Sequence, residues 1–172
     1  MTYNIHPILV HFPIALLFLY SIIKLLPFKK WFPKVSWKHI ELALLIPGLL
    51  GAFASNVTGE VAEQIAQPNH KLAETHAFMA LTATWMYGLI LAGELLSWIN
   101  ANIISKLKSA PILSFFTFIR NILVYPFVSG LLAFLGLITI SLTGLLGGVM
   151  VYGVSADPIA GIVLQILGIS IQ

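Results

Sequence analysis

Five histidines, at positions 6, 11, 39, 70 and 76, and six acidic side chains carry most of the chemistry open to this 172-residue chain. Cysteine is absent, so the chain has no disulfide, iron–sulfur cluster, thiolate nucleophile or c-type haem attachment of its own. Two imidazoles brought together from different helices are what a b-type haem needs as axial ligands. Imidazoles mixed with carboxylates suit zinc, copper or non-haem iron instead. Hydrolase chemistry lacks its ingredients, since there is no GxSxG elbow, and no GxxxxGK[ST] loop is present to cradle phosphate. His6 precedes Pro7 and is expected at the N-cap of a helix with proline in its first turn. His11 follows about one and a half turns later, roughly 7 Å further along the helix axis and about 140° around it. The two therefore do not make the same-face pair of an HExxH motif, although Pro13 removes a backbone hydrogen bond and can redirect this turn. His76 follows Glu74 and Thr75 at the start of another apolar run.

The elements that must position these side chains are set by composition. Hydrophobic residues make up 59% of the chain and charged residues 9%, with a mean hydropathy of +0.97. A soluble domain carries about 25% charged residues, so lipid is the expected solvent and the chain reads as one all-α, four-helix transmembrane bundle. The spans fall near residues 7–26, 40–57, 76–99 and 119–151. The fourth is longer than the roughly 20 residues a bilayer requires, so it must tilt, kink or protrude. A last apolar stretch, residues 159–171, is too short to cross and reads as an interfacial or re-entrant segment. Residues 58–75 read as a short amphipathic outer connection. Gly48 with Gly51, and Gly144 with Gly148, suit close helix packing in lipid.

Charge sets the expected orientation. Lys24, Lys29, Lys30, Lys34 and Lys38 surround the first connection; Lys106, Lys108 and Arg120 surround the third; only Lys71 lies in the second. The positive-inside rule puts connections one and three in the cytoplasm and both termini outside. Trp31, Phe32, Trp37 and Trp98 sit near the basic connections, where an aromatic belt belongs. The first span has no basic n-region or small-residue cleavage site and is expected to remain as an anchor. The basic sequence pI of 9.3 does not point to nucleic acid, since no basic stripe is interleaved with aromatics.

On this topology His6, His11, His70 and His76 fall at the outer end, and His39 alone is cytoplasmic. Ionisable groups in spans are costly and usually face the bundle interior, a cavity or a partner. His11 and His76, opening spans that both start outside, are the expected axial ligands of a haem b, with His6 as a neighbouring or alternative ligand. Each ligating imidazole needs an acceptor for its other N–H, and Glu60, Glu63, Glu74 and Asp157 are available. The alternative metal set is His6, His11 and His76 with Glu60, Glu63 and Glu74, holding zinc, copper or non-haem iron. The structural alternative for His11 is a hydrogen bond to another helix's backbone, and His39 and His70 read as interfacial residues. Glu94, toward the cytoplasmic end of span three, is the best acid for a midplane transport site, for which the spans otherwise lack acids.

The run His6-Pro7-Ile8-Leu9-Val10-His11-Phe12-Pro13 resembles the His-Pro-x-x-Val-His-Phe-Pro opening of a bacterial family of small four-span membrane proteins of unknown function. Thr58-Gly59-Glu60, followed by Glu74 and His76, is similar to that family's outer loop and third span. Leu146-Gly147-Gly148-Val149-Met150-Val151-Tyr152-Gly153-Val154 resembles its closing segment. The resemblance implies a bacterial inner-membrane protein in a redox setting, because some relatives stand beside or fused to c-type cytochrome modules. Relatives often carry His or Arg after the closing tyrosine, whereas Tyr152 is followed here by Gly153, Val154 and Ser155. The expected function is a b-type cytochrome-like electron-transfer subunit, partnered by a quinol or c-type cytochrome in a larger complex. A non-catalytic structural subunit is the alternative, and neither reading is a stand-alone enzyme.

Overall fold

The computed structural model describes residues 4–103 and 111–170. Its described elements are all helical: α1 (His6–Leu25), α2 (Phe28–Trp31), α3 (Trp37–Ala66), α4 (His70–Asn102), α5 (Pro111–Leu123), α6 (Pro126–Tyr152) and α7 (Ala160–Ile166), with one 3-10 turn at Val154–Ala156. Of these, α1, α3, α4 and α6 are long and apolar enough to cross a membrane. They pack in the cyclic order α1, α3, α4, α6, with successive spans antiparallel. Most of each span faces outward and is apolar; Phe53 and Trp85, for example, are 54% and 63% exposed. Such rings are unfavourable in water and at home in hydrocarbon.

Several boundaries differ from those the sequence suggests. Residues 58–75 are not an extended connection, because α3 continues to Ala66 and α4 already starts at His70. Only residues 67–69 join them. Gln67 ends α3 in the left-handed conformation (φ 44°), and the Asn69 side chain caps α4 by accepting the Leu72 amide at 3.2 Å. His6 is the first residue of α1 rather than its cap; Ile5 holds that place, and Asn4 Oδ1 accepts the His6 amide. The apolar run 119–151 is broken at Val124 and Tyr125, just ahead of Pro126, which gives α5 and α6. Lys106 and Lys108 lie outside the described residues, as does Ile171.

Close helix approach comes from glycines opposite bulky groups. A Cβ on Gly51 would sit 3.2 Å from the ring of Pro13, so α1 and α3 meet where the proline interrupts α1. Gly136 of α6 lies flat against Tyr87 of α4; a Cβ there would come within 2.9 Å of Cζ. Tyr87 has no room to retreat, being fully buried with its hydroxyl bonded to Ser21 at 2.8 Å. One core cluster gathers around Leu17, Tyr20, Leu45, Tyr87 and Ile140. A second, built from Leu72, Leu146, Val149, Ala160, Leu164 and Ile169, seats α7 on the neighbouring ends of α4 and α6. Lys71 Nζ fixes this cover by donating to the Gly168 carbonyl.

The end bearing α2 is held by rings and charge. Phe28 lies 5.3 Å from Trp31 and 5.4 Å from Trp37 between centroids, and the Trp37 indole donates to the Phe32 carbonyl at 2.9 Å. Lys29 and Lys24 approach the two oxygens of buried Glu41 at 2.8 and 3.8 Å. Lys38 pairs with Glu94, so that acid ties α3 to α4 at the basic end.

Gly136→Ala should destabilise the protein by about 1–3 kcal/mol, the usual cost of overpacking. Gly88→Ala, whose Cβ would meet nothing within 4 Å, should be neutral or stabilise by up to about 1 kcal/mol through helix propensity. Unfolding midpoints in detergent measure both, and equal effects would contradict the packing described.

Candidate functional site

The end of the bundle opposite Glu41 and α2 holds four of the five histidines, and they are not equivalent. His6, in the first turn of α1, is half-buried against α3. Its Nδ1 lies 3.0 Å from Thr58 Oγ1. The Thr58 hydroxyl donates to the carbonyls of Ala54 and Ser55, both at 3.1 Å. When the hydroxyl gives its proton to one of these carbonyls, Thr58 accepts from His6, and Nδ1 then carries the hydrogen; the Ser55 carbonyl is a further acceptor beside the ring.

His76, one and a half turns into α4, is half-buried against α6 and reaches the Thr143 carbonyl through Nδ1 at 3.1 Å. A carbonyl cannot donate, so the same tautomer follows. Gly147 makes room for this ring: a Cβ there would sit 3.2 Å from His76 Cε1. Gly59 stands beside the His6 ring in a similar way, at 3.5 Å from Cε1. His6 and His76 come from diagonal helices and are near enough for their charges to interact. His76 thus keeps Nε2 as an acceptor, and His6 does the same when Thr58 accepts from its Nδ1, the arrangement an imidazole takes when its other nitrogen is to bind a metal.

His11 has its Nδ1 on the Pro7 carbonyl one turn earlier, and its ring is exposed. The expected bond to another helix is replaced by this local one. The helical offset between His6 and His11 leaves only His6 against α3, and Pro13 does not reverse it. His70 is exposed at the start of α4 and borders a shallow groove with Glu60, Glu63, Gln64, Gln67 and Pro68. His39, at the basic end, bonds Ser36 Oγ and is exposed.

Glu60, Glu63 and Glu74 are all exposed on the helix ends. Asp157 accepts the Ile159 amide at 2.9 Å, a local turn contact. The acceptors of the histidine N–H groups are thus a threonine hydroxyl and backbone carbonyls, where the sequence pointed to carboxylates. Among the described residues, no three His, Asp or Glu side chains gather as a metal-binding group; an axial pair requires only two. Thr58, in the run Thr58-Gly59-Glu60, is marked by its residue type as a possible partner. The Thr143 carbonyl could not, because a backbone acceptor leaves no mark in residue type.

A family model described as "Predicted membrane protein (DUF2231)" matches residues 2–157. The chain belongs to that family, as its opening motif suggests, and the matched region holds every histidine and all four spans while leaving out α7. No curated protein and no solved structure matches the chain.

Proposed function

For this member of the DUF2231 family, we propose that His6 and His76 hold a haem b near one membrane face, where the protein passes electrons as part of a larger redox complex. One observation carries the reading: both imidazoles bond a fixed oxygen through Nδ1, on diagonal helices at the same bundle end, which directs Nε2 to a ligand. His6 takes the role first expected of His11, whose ring is exposed and tied to its own helix. Haem bound there would supply a one-electron carrier. The chain's own residues orient the rings through Thr58 and the Thr143 carbonyl and make space at Gly59 and Gly147. A carrier near one face cannot move electrons across the bilayer by itself, so a quinol or a c-type cytochrome is the proposed exchange partner.

Orientation belongs to the same proposal. Lys24, Lys29, Lys30, Lys34, Lys38 and Arg120 cluster toward the end opposite the paired histidines, which favours a bacterial inner-membrane protein with both termini and the histidine pair outside. Because the chain has no cysteine, single replacements report cleanly. Glu63→Cys should react with a membrane-impermeant maleimide from outside and Lys34→Cys only after permeabilisation; the reverse pattern would invert the topology.

The haem assignment is tested by a reduced-minus-oxidised visible spectrum of protein purified in mild detergent, with metal analysis of the same sample. Haem b bands are expected, lost in His6→Ala and His76→Ala and retained in His39→Ala. A featureless spectrum, or bands that survive both replacements, would sink the assignment.

A further inference from the structure

A groove of about 700 Å³ runs between α1 and α6 and opens outward, toward lipid. Small-molecule sites commonly span about 300–1,000 Å³. Ile14 and Phe18 form its α1 wall, and on α6 it follows one face from Leu137 to Tyr152. That run is about 22 Å by helical rise, long enough for one extended apolar chain. Ile159 and Val163 line it as well, where α7 packs on the end of α6.

The groove exists because one glycine pair does not do what its spacing suggests. Gly48 and Gly51 do bring helices together; a Cβ on Gly48 would come within 2.8 Å of Leu17. On α6, a Cβ on Gly144 would meet Ile14 only at 3.8 Å, and one on Gly148 would meet nothing within 4 Å. The missing side chains therefore leave room instead of admitting a neighbouring helix. Gly147, next to Gly148, holds the His76 ring. The last turns of α6 thus have the histidine on one side and the groove on the other.

The polar groups of the groove gather at its histidine end. Asp157 accepts the Ile159 amide through Oδ1, and its second oxygen and the Tyr152 hydroxyl have no partner among the described residues. Deeper in, Ser141 gives its proton to the Leu137 carbonyl of its own helix at 2.7 Å. No lysine, arginine or histidine lines the groove among the described residues. A phospholipid phosphate at its mouth would therefore face a carboxylate with no cation between them. A neutral head that carries hydroxyl donors suits Asp157 instead. We propose that the groove binds an isoprenoid quinol, its tail along Gly144 and Gly148 and its head between Asp157 and Tyr152. A hydroxyl of the head donates to the Asp157 carboxylate, and the Tyr152 hydroxyl donates to an oxygen across the ring. The choice of a redox-active head rests on the electron-carrier reading above, whereas the tail site and the donor head are carried by the groove itself.

The test photolabels the whole protein in phosphatidylcholine nanodiscs with a ubiquinol whose tail carries a diazirine. Label is expected on the α1 and α6 peptides that line the groove, and excess decylubiquinol should displace it. Lauroyl lysophosphatidylglycerol, with one apolar tail and an anionic head, should not. Gly148→Leu fills the groove without meeting a neighbour and should abolish the labelling, while Gly88→Leu, equally open on α4, should retain it. Asp157→Asn keeps an acceptor for the Ile159 amide and should weaken decylubiquinol competition about tenfold, the worth of a hydrogen bond to a charged oxygen. His76→Ala should lose any haem bands yet keep the labelling, so failure of the haem assignment and failure of the groove are read separately. Absent labelling, equal competition by the lysolipid, or labelling unchanged in Gly148→Leu overturns the proposal. So does a Gly148→Cys protein that converts fully to a disulfide-linked dimer, which would put a second copy over the groove.

Discussion

In hydrocarbon a polar group has no solvent partner, so a donor or acceptor left unmatched at membrane depth is costly, and most are matched inside the protein. Helical backbone meets that demand for the main chain, exposed hydroxyls such as Thr82 and Ser141 bond carbonyls of their own helix, and other polar side chains turn inward. The apolar rings and branched chains occupy the outer surface. The hydroxyls, amide and carboxylate of Ser21, Asn56, Thr84, Tyr87 and Glu41 sit between helices. Bonds between these groups then fix which helices are neighbours and at what height. The Ser21–Tyr87 bond crosses the bundle, and the contact of Gly136 on the same tyrosine brings α6 to it. A residue without a side chain at position 136 and the hydroxyl of Tyr87 thereby join three helices at a single ring.

The two ends of the bundle answer the same constraint with different chemistry. At the basic end, ion pairs and an aromatic clasp hold α1 through α4 together, and Glu41 remains buried because two lysines reach it. At the opposite end, neutral imidazoles do the joining: His6 links α1 to α3 and His76 links α4 to α6. An ion pair uses both charges, whereas an imidazole that donates from one nitrogen still has a lone pair on the other. That difference makes the histidine end, and not the charged end, the place where the proposed ligand chemistry is available. The cover formed by α7 over the ends of α4 and α6 lies beside this site and outside the family match.

Much of the architecture was legible in the sequence because the signal is dense: long apolar runs and few charges leave little freedom in the helix count. The boundaries were less legible. Glu60, Glu63 and Glu74 suggested a solvated loop, but polar residues are equally content on helix ends that project past the hydrocarbon, and α3 and α4 run on through them. The break before Pro126 is the kink that the excess length of the fourth run demanded, at a position that proline marks. Which of His6 and His11 lies against α3 could not be read from spacing alone, because it depends on which face of α1 meets α3, the face where Pro13 sits against Gly51.

The account stands on the protonation pattern of two rings. Magic-angle-spinning nitrogen NMR of the protein labelled with 15N-histidine, in lipid bilayers, reads each imidazole nitrogen directly, with His6→Gln and His76→Gln assigning the signals. The account predicts that both residues carry hydrogen on Nδ1, with Nε2 unprotonated or bound to metal. Hydrogen on Nε2 of either residue, or an imidazolium at neutral pH, would contradict it.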